Sequence, residues 1–311
     1  MSAPHISVLI PTYRYAGYLR EALDSVLVQE SADFEVLVSD DCSGDGTAEI
    51  LRDYAARDAR IRAHVQPANI GMVRNWNWCL AHARGELVQF VFGDDMLARP
   101  DALEKMAALL DTHPAAALAA CARNLIDENS RNTGTRSHLG APGLHGSADT
   151  ALRCLMEGNI IGEPSAVMFR RSAAARGFSE SYAQLVDLEM WLHLLERGPL
   201  VYTEEPLCSF RRHPLQQTEA NKETGIHNSE ILRLVLDYGT SPMLDGRDIR
   251  GITFYRLYRS RKFGCSDPSV TAARDLLMDR LGRPAYCARW LWKKISNPFA
   301  TLIRRIRHSR H

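Results

Sequence analysis

Over its first 120 residues the chain alternates short apolar runs with stripes of helical period, and the turns between them are short. That alternation restricts the fold more than any other feature. When a helix serves as the crossover between consecutive strands, the strands must run parallel, and the helices must cover the sheet. The run His5 to Ile10 is stopped by Pro11. Leu19, Ala22, Leu23, Val26 and Leu27 then recur at i, i+3, i+4, i+7 and i+8, which predicts an amphipathic helix. Phe34 to Ser39 reads as a second strand, Asp41 to Gly46 as a turn, and Ile50, Leu51, Tyr54 and Ala55 as the next helix stripe. Ile61 to Val65 is a third strand. Met72 to Ala83 is a helix with Val73, Trp76 and Leu80 inward, and Glu86 to Phe92 is a fourth strand ending in Gly93-Asp94-Asp95. Pro100 opens a helix carrying Leu103, Met106, Ala107 and Leu110, and Ala115 to Cys121 is a fifth strand. Four such repeats predict an α/β chain with a mainly parallel, doubly wound sheet.

The pattern then changes. Residues 129–147 are rich in Gly, Ser, Asn and Thr and read as a long loop, a feature that in compact domains is usually functional. Residues 162–170 read as a strand after a turn, and Leu188, Trp191, Leu192 and Leu195 as a further helix stripe, followed by a strand signal over Leu200 to Thr203. From Thr218 onward the pattern is helical. A boundary near Pro214 gives two regions, 1–214 and 215–311.

Composition enters as a filter. The 311 residues are 45% hydrophobic and 24% charged, ordinary for a globular protein. No stretch approaches the ~18–20 apolar residues of a membrane span, and no secretory signal is visible. Seven cysteines, an odd number with no CxxC pair, argue against a disulfide framework or a zinc ribbon, so a reduced, cytoplasmic setting is expected. The net charge of +1 hides an asymmetry: residues 283–311 hold eight Lys/Arg and no Asp/Glu, leaving the body mildly acidic.

In open α/β sheets ligands bind beyond the carboxyl ends of the strands. Pro11-Thr12-Tyr13, Asp40-Asp41 and Asp94-Asp95 fall at three such ends. There is no GxGxxG after the first strand, no GxxxxGK[ST] loop and no GxSxG elbow, which sets aside a dinucleotide site, a P-loop and an α/β-hydrolase nucleophile. Asp41 to Gly46 is a poor calcium loop, since its twelfth position is Arg52.

The segments SVLIPTYRYAGYLREALDSVLVQ, FEVLVSDDCSGDGT and NIGMVRNWNWCLAHARGELVQFVFGDD, in this order, resemble the N-terminal half of glycosyltransferase family 2. VDLEMWLHLLERG from Val186 to Gly198 resembles the acidic-aromatic helix of that family, and SFRRHP from Ser209 to Pro214 a segment that often follows it. The likeness covers residues 5–214. It implies the GT-A fold and transfer of a sugar from a nucleotide-sugar donor.

That chemistry needs a cation and a base. A diphosphate leaving group concentrates negative charge, and Mg²⁺ or Mn²⁺ held by one or two carboxylates neutralises it. Asp95 is the expected metal ligand, with Asp94 toward the donor ribose or the metal's waters. His213 is a candidate third ligand or diphosphate contact, with a structural loop histidine as the alternative. The resemblance implies that Asp41 accepts a hydrogen bond from the base, and that Pro11, Thr12 and Tyr13 line the nucleotide pocket. Arg14 stands where family members often have Asn. Arg74 is placed to reach the donor, a solvent-facing arginine being the alternative. Asp187 is the expected base of an inverting transfer. Glu189 is the competing carboxylate, expected at the surface or behind the site.

Asn297-Pro298 followed by Phe299, Leu302, Ile303 and Ile306, with arginines off the stripe and Trp290 and Trp292 before it, has the form of a basic amphipathic helix. Peripheral attachment to an anionic inner membrane face and packing on the catalytic domain are the two expectations; nucleic acid is not an expected partner. The acceptor expected from the resemblance is a bacterial cell-surface glycan or a lipid-linked one. A non-catalytic sugar-nucleotide binder and a nucleotidyltransferase are the rival functions. The second lacks the Gly-rich loop it would need after the first strand.

Overall fold

The computed structural model describes residues 3–30, 33–214, 216, 226–247, 252, 256 and 275. The basic tail and its predicted amphipathic helix lie outside these residues. The chain divides into two compact units, Met1–Ala220 and Asn221–His311, so the division falls a few residues beyond the expected Pro214. Within the second unit, helix α7 (Ile226–Tyr238) buries Ile231, Leu232, Leu234 and Val235.

The first unit opens with the alternation read from the sequence. Strand β1 (Ile6–Thr12) leads to α1 (Ala16–Leu27), β2 (Phe34–Asp40) to α2 (Thr47–Arg57), β3 (Ile61–Val65) to α3 (Met72–His82), and β4 (Leu87–Phe90) to the two-residue β5 (Met96–Leu97) and α4 (Ala102–Thr112). β3, β2, β1 and β4 lie side by side, and every pairing among them is parallel. Pro11 does not end β1. It faces Ser39 across the ladder, and the strand runs on to Thr12 opposite Asp40. The predicted stripes face inward: Leu19, Ala22, Leu23 and Val26 of α1 and Leu103, Met106 and Leu110 of α4 are fully buried, each Leu or Val contributing roughly 1.5–3 kcal/mol. In α3 the buried set is Asn75, Trp76, Cys79 and Leu80, while Val73 is half-buried.

The other half of the sheet is mixed. β6 runs from Leu118 to Ile126, later and longer than the expected fifth strand. β9 (Val167–Arg170) inserts antiparallel between β4 and β6, and the long β10 (Leu200–Arg211) pairs parallel with β6 through two irregularities around Pro206. Parallel order therefore holds from β3 to β4 and again for β6 with β10. The expected loop over 129–147 contains two short strands, β7 (Asn132–Arg136) against β6 and β8 (Gly143–His145) against β10, and it leads into α5 (Ser147–Glu157). Their Gly and Thr content conceals them from pattern reading. Helix α6 (Val186–Leu195) is buried nearly all round, including Glu189 and His193, so its stripe is not the face of a surface helix.

Candidate active site

The carboxyl ends of β1, β2 and β4 converge as expected. The Asp41 amide donates to the Thr12 carbonyl at 2.9 Å, locking the first two ends together. Gly93 follows β4, and a Cβ there would sit 2.6 Å from Thr12 Oγ1, so the glycine is what lets the β4 end approach β1. Thr12 is buried and its hydroxyl has no partner.

Asp41 is buried, and both of its oxygens accept backbone N–H groups, Ile70 at 2.7 Å and Gly71 at 3.0 Å. It thus closes the loop ahead of α3 onto the end of β2. Behind it lies a buried network that the sequence reading missed. Ser39 Oγ donates to Asn75 Oδ1 at 2.7 Å, Asn75 Nδ2 to the Ser39 carbonyl at 3.0 Å, and Gln66 Nε2 to Ser39 Oγ at 3.1 Å. Asp40 is held by the Ser43 hydroxyl and amide, and burial raises its carboxyl above the usual range. Asp45 caps α2 through the Thr47 amide and hydroxyl.

Tyr13 is 39% exposed, with the Arg14 guanidinium 5.0 Å above its ring. Arg14 has a φ of +58°, a backbone region that asparagine tolerates better than arginine. Its amide donates to Ser43 Oγ at 2.8 Å. Arg74 sits on the exposed face of α3 in an ion pair with Glu180 at 2.9 Å, both side chains more than half exposed.

The acidic pair after β4 separates into two roles. Asp95 is buried, and both oxygens are engaged by protein: Oδ2 accepts from Ser165 Oγ at 2.6 Å and Oδ1 from the Arg211 amide at 2.9 Å. Burial and the neighbouring Asp94 push its carboxyl well above the usual range. Asp94 Oδ2 instead lies 3.0 Å from His213 Nε2, and the Tyr15 hydroxyl bonds the same carboxylate. Buried His213 packs against the rings of Tyr15 and Tyr18, and its Nδ1 has no hydrogen-bond partner. Of the two aspartates it is Asp94, rather than Asp95, that stands beside His213.

Arg211 makes that geometry possible, and no motif had singled it out. Fully buried, it donates from Nε to the Asp94 carbonyl at 2.7 Å, from Nη1 to Ser130 Oγ at 2.8 Å, and pairs through Nη2 with Glu21 at 2.9 Å. Its guanidinium lies 4.5 Å above the Tyr18 ring. One side chain thus ties the acidic turn to α1 and to the β6–β7 turn.

Asp187 stands in the first turn of α6. Its Oδ1 accepts from the Leu188 amide at 2.7 Å and its Oδ2 from Asn159 Nδ2 at 2.8 Å. The Asn159 amide cannot flip, because its oxygen accepts from the Ile161 and Gly162 amides. Trp191 Nε1 donates to the Gly162 carbonyl at 2.9 Å and fastens the same turn to α6. Burial raises the Asp187 carboxyl to about 7, with the nearby Glu163 adding to the shift against these hydrogen bonds. Glu189 is not at the surface. It is buried and takes both carboxylate contacts from Arg176 at 2.7 and 2.8 Å.

The family model for Glycosyl transferase family 2 matches residues 7–178. The chain belongs to glycosyl transferase family 2. It is a glycosyltransferase of the GT-A fold. It is 36% identical over 221 residues to the uncharacterized protein MT1568 of Mycobacterium tuberculosis, a match covering 68% of this chain and 67% of that one. Matches to the mycobacterial relatives span between 59% and 67% of their length. Among solved structures, Staphylococcus aureus TarS in complex with UDP superposes with a TM-score of 0.64 at 20% identity, covering 86% of this chain and 74% of that one. The mannosyltransferase PcManGT of Pyrobaculum calidifontis, in complex with GDP-Man and Mn²⁺, superposes with a TM-score of 0.57 at 16% identity, covering 96% of this chain and 88% of that one. Among the described residues no three His, Cys, Asp or Glu side chains cluster in a metal-holding arrangement, and no helix is long and apolar enough to cross a membrane.

Proposed function

We propose that this glycosyltransferase moves a sugar from a nucleoside diphosphate donor to an acceptor hydroxyl with inversion, assisted by Mg²⁺ or Mn²⁺. The observation that carries the reading is the pair Asp94 Oδ2 and His213 Nε2, 3.0 Å apart, with His213 Nδ1 buried and unpartnered. A buried ring nitrogen without a partner is rare and costly, and a diphosphate oxygen would satisfy Nδ1, while a cation shared with Asp94 would bind Nε2, whose lone pair diverges from that of Nδ1. Adjacent ligands of an octahedral cation at about 2.0–2.1 Å are separated by roughly the same spacing. Two protein ligands with the rest supplied by phosphate and water is the ordinary form of a Mg²⁺ site in phosphate chemistry. When bound, the ion supplies neutralisation of the departing diphosphate.

The side chains divide the remaining work. Asp41, fixed by Ile70 and Gly71, keeps a lone pair on each oxygen for the base, while Pro11, Thr12 and Tyr13 line the nucleoside pocket. Arg74 reaches the donor only by exchanging its Glu180 partner. Asp187 takes the proton of the acceptor hydroxyl as that oxygen bonds to the anomeric carbon. The bond from that carbon to the diphosphate breaks on the opposite face, and its electrons leave with the nucleoside diphosphate. A base with a pKa near 7 balances the ionised fraction at neutral pH against proton affinity. A bacterial cell-surface or lipid-linked glycan is the acceptor in this reading, with the enzyme at the cytoplasmic face.

The test is a donor screen over UDP-, GDP- and dTDP-sugars with Mg²⁺ or Mn²⁺, following both nucleoside diphosphate and pyrophosphate. Release of nucleoside diphosphate is expected. Pyrophosphate release would indicate nucleotidyl transfer, and binding without turnover a non-catalytic binder.

A further inference from the structure

Three arginines share one face of the mixed half of the sheet. Arg123 and Arg136 are directly opposite each other in the antiparallel β6–β7 ladder, so their side chains leave the same face. On the other side of β6, Cys208 of β10 faces Arg123 and Phe210 faces Leu125. Arg212, two residues beyond Phe210, continues that alternation onto the arginine face. Arg211 and His213, on either side of it, turn toward Asp94 instead.

Like charges opposite each other in a ladder are destabilising. Among the described residues one acid pairs with them: Glu163 forms an ion pair with Arg123, which is buried under the Gly162 turn. Among the described residues no carboxylate lies within ion-pair reach of Arg136 or Arg212. Burial, then Arg212, holds the half-buried Arg136 below the usual arginine range, with Arg123 adding to this and the more distant Glu163 opposing it. His138, next on the same face of the chain, is pushed down by burial and by Arg123 and Arg136, so it adds no charge at neutral pH. Half-buried Arg136 and exposed Arg212 thus stand together with no carboxylate among the described residues in ion-pair contact with either.

Their position relates them to the proposed base. Gly162 and Glu163 belong to the turn whose Asn159 holds Asp187, and Glu163 is close enough to raise the Asp187 carboxyl. The metal pair lies on the side to which Arg211 and His213 turn, so the two arginines are separated from the donor diphosphate by strand alternation.

We infer that Arg136 and Arg212 form a subsite for a phosphate group carried by the acceptor, close to the hydroxyl that Asp187 deprotonates. This rests on the proposed glycosyl transfer and gives its acceptor a chemical class. A tetrahedral phosphate offers acceptor oxygens in several directions, which suits two guanidinium groups arriving from different strands. The phosphate has two sources: a phosphodiester of a polyol-phosphate chain, or the phosphate of a lipid-linked glycan.

The experiment uses the full chain saturated with whichever of UDP, GDP or dTDP binds it best, so that the donor site is filled. Two probes are titrated: a short poly(glycerol phosphate) oligomer, and neutral vesicles containing a polyprenyl phosphate. One probe is expected to bind, and which one does identifies the source. Arg136→Gln with Arg212→Gln should weaken it at least tenfold, Arg136→Lys with Arg212→Lys should restore most of the affinity, and nucleoside diphosphate affinity should stay within twofold. If neither probe binds the nucleotide-loaded protein, or if the Gln pair leaves probe binding unchanged, the subsite is refuted. Equal loss of nucleotide binding would also refute it, assigning the arginines to the donor. Failure of every nucleotide to bind the wild type would instead refute the glycosyl-transfer reading on which the subsite rests.

Discussion

Asp41 and Asp187 are both carboxylates that accept one N–H group on each oxygen, and their settings differ. Asp41 lies in the parallel half, where each oxygen is taken by a backbone amide of the loop it closes. Asp187 lies in the mixed half, where one side-chain amide and one backbone amide hold it, and burial with the nearby Glu163 raises it to about 7. The contrast extends to the neighbours. Behind Asp41 sits the paired network of Ser39, Gln66 and Asn75, while near Asp187 stands Glu163, paired with Arg123. Hydrogen bonding alone does not set the Asp187 carboxyl; burial and the neighbouring Glu163 raise it.

The contrast breaks most sharply at Asp187. Asp187→Asn should lower kcat by about 10²–10⁴-fold, as loss of a general base does, with nucleoside diphosphate affinity unchanged. Because the Asn159 amide is fixed, the new NH₂ must face a donor on one side, so a thermal melt accompanies the kinetics. Glu189→Gln should instead leave kcat within a few-fold and lower the Tm, since it removes the charge that Arg176 pairs with. The opposite pattern would make Glu189 the base.

Asp41→Asn tests the other half. An amide cannot accept from both Ile70 and Gly71, and losing a hydrogen bond to a charged group costs about 1.5–3 kcal/mol. Nucleoside diphosphate affinity, measured by calorimetry, should fall at least tenfold, while kcat at saturating donor stays near wild type. A fall in kcat alone would put Asp41 in the chemistry.

The smallest effect is a pH shift. With Asp187 at about 7 and active only when ionised, kcat/KM should fall tenfold per unit below that pH and level off above it. Asn159 donates to the ionised form, so Asn159→Ala should move this limb to higher pH, by up to about one unit. A limb unmoved in Asn159→Ala, or already flat in wild type between pH 5 and 8, would remove Asp187 from the proton transfer.

Much of the parallel half was legible in the sequence because its rules are local. Helical period, strand runs and turn residues place β1 to β4 and their helices within a residue or two, and they bring Thr12, Asp41 and Asp94 to one edge. The mixed half depends on contacts distant in sequence. β7 and β8 carry no apolar pattern, and β9 finds its place between β4 and β6 only through the fold. The exchange of roles between Asp94 and Asp95 is of the same kind. Adjacent aspartates look alike in sequence, and what separates them is Ser165 and Arg211, about 70 and 116 residues away. Arg211 was visible only as one basic residue in Arg211-Arg212-His213. Its burial and its four-way tie are tertiary facts.

The central claim is that Asp94 and His213 hold the cation that binds the donor diphosphate, and that Asp95 only supports the turn. The most direct measurement is calorimetric titration of the best-binding nucleoside diphosphate with Mn²⁺ and with EDTA, on wild type, Asp94→Ala, His213→Ala and Asp95→Asn, each checked by thermal melt. Mn²⁺ should tighten binding at least tenfold in wild type. That gain should vanish in the Asp94 and His213 variants and persist in Asp95→Asn, which should show a lowered Tm instead. Equal affinity with Mn²⁺ and EDTA in folded wild type, or loss of the gain in Asp95→Asn alone, would contradict the assignment.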